Sequence, residues 1–354
     1  MQTQFEFRLL VVRLGAMGDI LHALPAVTAL RQAHPDWVID WVVEPRWRAL
    51  LGTGDTPGRS SAQPVVDHLH FAATKDWRKA PFSRQTLHEI KALRTALRAG
   101  GYDAVVDLQG AIRSAVVARL AGCRRVIGEA EPRERAARWL FTERVATQGV
   151  HVVEQDVELA SAIAGDELAP VLPWLPVDPA AEAWADETLP PEMGLPSALI
   201  NPGAGWGAKR WPVERYAAVA RGLIERGFRV LVNTGPGEEP LAEAVVRATG
   251  GAAIPLACTL AQLIAVTRRV ALAVAGDTGP LHLACALGRP VVGIYGPTDP
   301  ARNGPFGTRF KVLRSPQSRR DHTRREEPEA GLLTIQPEDA LRAAEDLLYP
   351  ETAL

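Results

Sequence analysis

The stretch AVAGDTGPLHLACALGRPVVGIYGPTDP, residues 273–300, decides the fold class of this chain. A short apolar run ends at GDTG (276–279), a helical pattern follows, and GRP (288–290) leads into a second apolar run. Two continuous apolar strands joined by a helix are typical of a parallel sheet that is covered on both faces. The stretch therefore predicts a βαβ unit whose ligand-binding turn follows the first strand.

The same alternation of apolar runs and helical patterns fills both halves of the 354-residue chain. The predicted strands are residues 9–14, 38–43, 66–71, 103–108, 197–203, 229–235, 271–276 and 291–296. A proline-rich segment, residues 171–195, predicts a linker with a short helix near 179–187. We therefore predict an α/β protein with two Rossmann-like, doubly wound domains, residues 1–170 and 196–354, facing each other across a cleft. This prediction leaves open whether the last helix packs back on the first domain.

The bulk composition excludes several classes of function. Apolar residues make up 47% of the chain and charged residues 23%, which is typical of a globular protein. The net charge of −1 gives no overall attraction to nucleic acid or to a membrane, so an anionic partner must bind a local patch. The three widely spaced cysteines match neither a disulfide framework nor a zinc site. With no signal peptide and no apolar run near the ~20 residues of a membrane span, we expect a cytosolic protein, peripheral to a membrane at most.

RLGAMGDILHALPA, residues 13–26, forms the first predicted strand-to-helix turn. Its Gly15 and Gly18 allow positive φ or a close backbone approach, but they lack the G-x-G-x-x-G spacing of a dinucleotide site. Asp19 has two interpretations that the residues alone leave open. It caps the helix that follows, or it acts as a general base toward a hydroxyl within ~3 Å. His22, on the same helix, is more typical of a packed histidine than of a catalyst.

The GDTG turn is the better candidate for an anion site. The helix that starts near Thr278 presents backbone N–H groups and the positive end of its dipole, and Pro280 is typical of a first helical turn. Thr278 and His282 lie four residues apart on one helix face, so both can reach a bound anion such as a nucleotide diphosphate. The alternative is a helix capped by Asp277 or Thr278 with His282 packed inside, although a cap alone does not require the flanking glycines.

Two further turns in the second half carry candidate nucleotide contacts. NPGAGWGAKRWP (201–212) is a glycine-rich loop that can cradle a phosphate with Lys209, although it lacks the G-K-[ST] ending of a P-loop. The alternative is a flexible loop with a solvated lysine. After the strand at 229–235, Glu238 and Glu239 can accept hydrogen bonds from ribose hydroxyls, or they can simply complement the dipole of the next helix.

Basic residues cluster in the first half of the chain. Arginine and lysine suit phosphate and carboxylate groups, so this clustering predicts a local anionic partner. The candidates are Lys75, Arg78, Lys79, Arg84, Arg113, Arg124, Arg125, Arg133, Arg135 and Arg138. The mixed-sign run SRRDHTRREE (318–327) instead predicts a solvated loop.

Taken together, these motifs resemble glycosyltransferase family 9, the ADP-heptose:lipopolysaccharide heptosyltransferases. The resemblance covers nearly the whole chain and rests on RLGAMGDILHALPA, DWRKAPFS, DLQGAIRSA, AKRWP and GDTGPLHLACALGRPVVGIYGPTDP. The first motif and DWRKAPFS together favour the type I branch. The resemblance implies a GT-B architecture and transfer of L-glycero-D-manno-heptose from ADP-heptose to Kdo of Kdo2-lipid A, with inversion at the anomeric carbon.

The resemblance also implies where the enzyme works and which residues it uses. It implies no metal and no cofactor, and we expect a monomer in the cytoplasm, peripheral to the inner face of the inner membrane. The implied general base is Asp19, and Lys209 is implied to stabilise the departing ADP. The implied donor contacts are Gly18, Lys209, Glu238, Cys258, Asp277, Thr278, Gly279 and His282, with Glu239 in place of Glu238 if the local alignment slips by one residue. The implied acceptor contacts are Lys75, Arg78, Lys79, Arg113 and Arg133.

The chain departs from the type I pattern at Ala204-Gly205. Some type I enzymes carry threonines there that bond phosphate, so backbone N–H groups must substitute in this chain. The glycine-rich version also resembles relatives that act on other inner-core sugars. Two alternatives therefore stay open, namely a heptosyltransferase II-like acceptor and another nucleotide sugar as donor. A two-domain binding protein without chemistry is a weaker alternative, and the missing dinucleotide fingerprint disfavours a dehydrogenase.

Overall fold

A computed structural model describes residues 6–54, 58–190, 194–321, 323 and 325–349 of the chain. The chain divides into two compact units, Met1–Val177 and Asp178–Leu354. Within the described residues, each unit is built on a six-stranded sheet in which all neighbouring strands are parallel. No helix among the described residues combines the length and the apolar character that crossing a membrane requires.

The first unit places five helices around its sheet, within the part of the chain that the structure describes. The strands are β1 (Arg8–Val12), β2 (Val38–Val43), β3 (His68–Phe71), β4 (Ala104–Asp107), β5 (Val126–Glu129) and β6 (Glu143–Val145), in the order β3-β2-β1-β4-β5-β6. The helices are α1 (Met17–Ala33), α2 (Thr74–Lys79), α3 (Arg84–Ala99), α4 (Ile112–Leu120) and α5 (Val152–Ala164). Two 3-10 helices lie at Pro45–Leu50 and Arg135–Leu140.

Local sequence explains how these elements form. β1 and β2 are largely apolar and are buried along almost their whole length, as strands in the middle of a covered parallel sheet must be. α3 is amphipathic, and Ser83 accepts a hydrogen bond from the Thr86 N–H at its start. Val12 of β1 is paired with Asp107 of β4, so the turns that follow these two strands lie side by side.

The second unit repeats the plan. Its strands are β7 (Ser197–Asn201), β8 (Arg229–Asn233), β9 (Ile254–Leu256), β10 (Leu272–Gly276), β11 (Val291–Tyr295) and β12 (Phe310–Arg314), in the order β12-β11-β10-β7-β8-β9. Its helices are α6 (Pro179–Thr188), α7 (Val213–Glu225), α8 (Glu239–Ala248), α9 (Leu260–Thr267), α10 (Gly279–Ala286), α11 (Pro300–Asn303) and α12 (Pro337–Leu348). Short 3-10 helices lie at Gly207–Lys209 and Leu332–Thr334.

The boundary between the units lies between Val177 and Asp178, inside the segment for which we predicted a linker. The predicted short helix is α6, and it packs on α9 of the second unit. Glu182 of α6 accepts hydrogen bonds from Arg268 and Arg269, which fixes the helix to that unit. The last helix, α12, packs in the core of the second unit through Ala340, Ala343, Ala344 and Leu347.

Four strands, β5, β6, β9 and β12, were not predicted from the sequence. β6, β9 and β12 lie at sheet edges and are partly exposed, so their apolar signal is weak. β5 is buried but spans only Val126–Glu129, which is too short for a clear pattern. Long central strands were therefore easier to predict than short or peripheral ones.

Candidate functional site

The turn between β10 and α10 holds a carboxylate with a basic side chain on either side. The Asp277 side chain is 9% exposed; its Oδ2 accepts a hydrogen bond from Lys209 Nζ, and its Oδ1 lies 3.2 Å from His282 Nε2. Burial acts to raise the pKa of Asp277, but His282 and Lys209 outweigh burial and hold that pKa well below its usual range. Asp277 therefore stays ionised and orients both basic side chains.

Lys209 reaches this turn from a distant part of the sequence. It ends the 3-10 helix that follows β7, and β7 is the neighbour of β10 in the sheet. Its Nζ also lies 4.3 Å from the centroid of the Trp206 ring. Because the carboxyl ends of adjacent parallel strands meet at one edge, the two turns converge there. The structure thus joins three predicted site residues, Lys209, Asp277 and His282, in one cluster.

The start of α10 adds backbone donors to this cluster. Thr278 is the N-cap, but its side chain forms no capping hydrogen bond and its Oγ1 instead donates to Gly276 O at 3.2 Å. The first turn of a helix leaves its N–H groups without intrahelical partners, and its dipole favours negative charge. The N–H groups at Thr278 and Gly279 therefore provide, next to Lys209, an arrangement suited to a phosphate. Helix capping by the Thr278 side chain therefore does not explain the GDTG motif.

The glycine-rich loop before Lys209 is held by an acidic side chain. Glu238, the N-cap of α8, accepts hydrogen bonds from the backbone N–H groups of Ala204 and Gly235, both at 3.2 Å. A Cβ at Gly203 would overlap this carboxylate. Glu239 stays on the exposed first turn of α8, so only Glu238 lies beside the loop. We expected the backbone N–H groups at Ala204-Gly205 to substitute for threonines, but the Ala204 N–H donates to Glu238. For the Gly205 N–H the expectation stays a prediction.

The mixed-sign run at 318–327 also contacts this loop. Arg325 O accepts a hydrogen bond from the Ala208 N–H at 3.0 Å. A Cβ at Gly207 would overlap the backbone of Glu326. The run therefore supports the loop that ends at Lys209, which corrects the prediction of a segment that is only solvated. Positions 322 and 324 of the run lie outside the described residues.

A row of polar side chains follows the next strands at the same edge. Asn233 Nδ2, at the end of β8, donates to Asn201 Oδ1, at the end of β7, at 2.7 Å. Cys258 Sγ lies 3.9 Å from Asn233 Oδ1, and burial raises the pKa of this thiol to about 11, so it stays protonated at neutral pH. Sequence reasoning missed both asparagines, although a polar residue ends each of these apolar strands in NPG and NTG.

In the first unit, Asp19 lies in the first turn of α1. The N-cap of α1 is Ala16, so Asp19 is not the cap itself; its Oδ2 accepts a hydrogen bond from the Ala16 N–H at 2.9 Å. Its Oδ1 lies 3.6 Å from Arg13 Nη2, and the side chain is 39% exposed. The carboxylate thus supports the helix start and still presents an accessible oxygen, which a general base needs.

The two glycines of this turn have different roles. Gly15 has a φ of 147°, and a Cβ there would lie 2.7 Å from Trp47 Nε1. Gly18 lies inside α1 and needs no positive φ. The prediction of a special backbone position therefore applies to Gly15 and not to Gly18.

A buried network supports the turn after β1 from the neighbouring strand. Asp107 accepts hydrogen bonds from the Gln109 and Gly110 N–H groups, at 2.8 and 3.0 Å, and from the Ser114 hydroxyl at 2.8 Å. Burial raises the pKa of Asp107 to about 6. Gln109 Oε1 accepts a hydrogen bond from the Leu14 N–H at 2.9 Å, which ties the two turns together. Sequence reasoning missed this network; the signal was a carboxylate at the end of the apolar strand in DLQG.

The predicted acceptor residues are basic and exposed, and they fall into two groups. They are Lys75, Arg78 and Lys79 on α2, Arg113 on α4, and Arg133 in the segment before the second 3-10 helix. Lys79 Nζ pairs with Asp76 Oδ1 at 2.9 Å, which partly offsets its charge. β2 and β1 lie between β3 and β4 in the sheet, so α2 and α4 start from separate positions along its edge.

Comparisons with known proteins identify the family of this chain. The family profile described as "Glycosyltransferase family 9 (heptosyltransferase)" matches residues 90–333. Lipopolysaccharide heptosyltransferase 1 of Escherichia coli K12 is 33% identical over 315 residues, which cover 88% of this chain and 94% of that protein. Lipopolysaccharide heptosyltransferase 1 of Pseudomonas aeruginosa is 29% identical and covers 85% of this chain and 81% of its own.

A solved structure gives the same result for the fold. The Escherichia coli heptosyltransferase WaaC with ADP matches with a TM-score of 0.79 and 29% identity, over 96% of this chain and 100% of that chain. The two parallel six-stranded sheets with their covering helices are thus of the GT-B type, and the predicted α/β fold class is confirmed. The chain belongs to glycosyltransferase family 9, the heptosyltransferases, and is a glycosyltransferase.

Proposed function

We propose that this enzyme transfers L-glycero-D-manno-heptose from ADP-heptose to a Kdo hydroxyl of Kdo2-lipid A, a step in assembly of the lipopolysaccharide inner core. The observation that carries the proposal is the cluster of Lys209, Asp277 and His282 at the start of α10. The relatives named lipopolysaccharide heptosyltransferase 1 support the acceptor class. The WaaC structure with ADP-2-deoxy-2-fluoro heptose, matched with a TM-score of 0.76, supports the donor.

The donor half of the reaction is assigned to the second unit. The diphosphate of ADP-heptose binds at the N–H groups of Thr278 and Gly279 and beside Lys209. When the bond between the anomeric carbon and the ADP oxygen breaks, ADP leaves with the electron pair and gains negative charge. Lys209 and the start of α10 stabilise that charge because both are positive before the reaction begins. Asp277 holds Lys209 in place and takes no part in the bond changes.

The nucleoside is assigned to the edge formed by β7, β8 and β9. Glu238 accepts hydrogen bonds from the ribose hydroxyls, and it already lies against the Gly203–Ala204 backbone. The adenine lies toward Cys258, whose protonated thiol contacts Asn233 at the end of β8. This assignment makes Glu238 both a nucleotide ligand and a support of the loop.

The proton is removed in the first unit. Asp19 accepts the proton of the attacking Kdo hydroxyl while that oxygen bonds to the anomeric carbon on the face opposite ADP, so the configuration inverts. The proposal assigns charge stabilisation to Lys209 and α10, without a metal. The described residues contain no group of three His, Cys, Asp or Glu side chains that could hold one.

The anionic acceptor is assigned to the two exposed basic groups on the first unit. Kdo carboxylates and lipid A phosphates match the guanidinium and ammonium groups there in charge. These residues are Lys75, Arg78, Lys79, Arg113 and Arg133. The enzyme is proposed to work as a monomer in the cytoplasm, peripheral to the inner face of the inner membrane, where such a lipid is presented.

The decisive experiment compares acceptors. Purified enzyme is given ADP-heptose with Kdo2-lipid A or with the same lipid already carrying one heptose, and the product is identified by mass spectrometry. The proposal expects turnover on the first acceptor; turnover only on the second would replace it with a heptosyltransferase II-like function. Thermal stabilisation by ADP but not by UDP or GDP is expected for the donor, and a preference for UDP or GDP would reject ADP-heptose.

Asp19→Asn tests the general base. The amide oxygen can still accept the hydrogen bond from the Ala16 N–H, but the amide cannot take a proton. We expect kcat to fall by about 10²–10⁴ while ADP affinity is retained. Asp339→Asn is the matched control, because Asp339 Oδ2 accepts the Gln336 N–H at 3.0 Å at the start of α12. Asp339→Asn should turn over at the rate of the unaltered enzyme. If Asp19→Asn did so too, Asp19 would not be the general base.

A further inference from the structure

The 3-10 helix Arg135–Leu140 presents an aromatic side chain to solvent among arginines. Trp139 is 70% exposed, which is unusual for the largest apolar side chain in a protein. The Arg138 guanidinium lies 5.0 Å from the centroid of its ring, and the Arg144 guanidinium lies 5.4 Å from it. Arg144 Nε also donates to Arg138 O at 3.0 Å, which fixes the arrangement. Two guanidinium groups therefore lie near the ring, while the ring itself is exposed to solvent.

Around Trp139 three arginines, Arg135, Arg138 and Arg144, outnumber two carboxylates, Glu131 and Glu134, and apolar side chains lie beside them. Arg135 and Arg144 form no ion pair with any described residue, and the Arg138 guanidinium is only 3.9 Å from Glu131 at its closest. α4 packs against this 3-10 helix and exposes Ile112 and Val116, which lie one helical turn apart. We call the set Ile112, Val116, Arg135, Arg138, Trp139 and Arg144 the tryptophan patch.

We propose that the tryptophan patch docks the enzyme on the surface of an anionic phospholipid bilayer. Trp is favoured at membrane–water interfaces because its ring is apolar and its N–H is polar. Arginines near such a surface are attracted to anionic headgroups, at about fivefold in affinity for each one. The chain as a whole has a net charge of −1, so this attraction belongs to the patch and not to the protein overall. The patch excludes every residue assigned above to the acceptor.

This inference extends the proposed lipid acceptor to the bilayer that holds it, and it can be tested without turnover. The enzyme is sedimented with vesicles of phosphatidylcholine alone or with phosphatidylglycerol added, at low and high ionic strength. We expect binding to the anionic vesicles only, weakened by salt. Arg135→Ala and Arg138→Ala should each weaken that binding by about fivefold. Trp139→Ala should also weaken it, because the ring no longer enters the interface.

Matched variants on the second unit provide the controls. Tyr349, 65% exposed, and Arg342, exposed on α12, are an aromatic and an arginine outside the patch. Tyr349→Ala and Arg342→Ala should leave vesicle binding unchanged. Equal losses in patch and control variants, equal binding to neutral vesicles, or no binding of the unaltered enzyme to anionic vesicles would each overturn the proposal.

A second measurement uses a more conservative variant, Trp139→Phe, which retains an aromatic ring at this exposed position. Brominated phospholipids quench tryptophans that enter the interface, and the difference in quenching between the unaltered enzyme and Trp139→Phe reports on Trp139. We expect that difference to be positive with anionic vesicles, and a difference of zero contradicts docking through this residue. Transfer of heptose to a detergent-dispersed acceptor should be unaffected by Trp139→Ala, so failure of docking and failure of the proposed transfer give separate results.

Discussion

Replacing Lys209 with methionine removes the positive charge beside Asp277 but retains most of the apolar stem. The two side chains are only 12% and 9% exposed, so the variant leaves a carboxylate almost out of water. Breaking a buried ion pair costs ~3–5 kcal/mol, and each kcal/mol lowers the Tm of a domain of this size by ~2–4 °C. We expect a Tm lower by roughly 6–20 °C. The lower end is favoured because His282 still lies 3.2 Å from Asp277.

The same substitution removes the charge that stabilises departing ADP. A preorganised group of this kind is worth about 10²–10³ in kcat. The double variant Lys209→Met/Asp277→Asn leaves no unpaired carboxylate at this position. We therefore expect its Tm to be close to that of the unaltered enzyme, while kcat stays low. Thermal unfolding and the rate of ADP release with both substrates present measure the two effects separately.

A surface ion pair serves as the control for this cycle. Lys311 Nζ pairs with Asp346 at 2.9 Å, but both side chains are about half exposed. Lys311→Met should therefore change stability by no more than ~1 kcal/mol and leave turnover unchanged. If the double variant regained turnover together with stability, Lys209 would be a structural residue and the leaving-group argument would be refuted.

Two further predictions concern the supports of the site. A Cβ at Gly203 overlaps the Glu238 carboxylate, whereas a Cβ at Gly205 meets nothing within 4 Å. Gly203→Ala should therefore weaken ADP binding about tenfold by calorimetry, corresponding to ~1.4 kcal/mol. Equal ADP affinities for Gly203→Ala and Gly205→Ala would contradict the assignment of the loop. Asp107 has a folded-state pKa of about 6, above its unfolded value, so its protonated form is favoured by folding and its contribution falls as pH rises. In urea unfolding, the free energy of unfolding of the unaltered enzyme relative to Asp107→Asn should fall by about 2–3 kcal/mol between pH 4 and 6. If this difference did not change with pH, the pKa of Asp107 would not be raised by folding.

Residues in strand-to-helix turns could be predicted because their signals are local. A carboxylate in the first turn of a helix, as at Asp19, and a helix start bounded by glycine, as at Thr278, follow from neighbours in the sequence. The finer roles could not be predicted, because Asp19 proved to be at the third helical position with Ala16 as the cap. A shift of three residues in a helix start changes the hydrogen bonds without changing the sequence pattern.

Residues that act through distant partners could not be assigned in this way. The role of Asp107 was not predicted because its burial depends on β4 lying next to β1. No local sequence pattern predicts that pairing. The contact of Glu238, and not Glu239, with the loop after β7 likewise depends on how β8 lies beside β7 in the sheet. In both cases the sequence contained the residue, and its surroundings came from another strand.

The sequence by itself determined that apolar strands alternate with helices in both halves of the chain. It also determined that glycine, acidic and basic residues follow those strands. Both follow from the sequence because hydrophobic periodicity and turn chemistry are set by residues a few positions apart. Only the tertiary structure decided which charges meet. Lys209 and Asp277 are joined because strand order puts β7 beside β10, and their burial there makes the pairing strong. Electrostatic energy depends on distance and on exclusion of water, and both are properties of the folded chain.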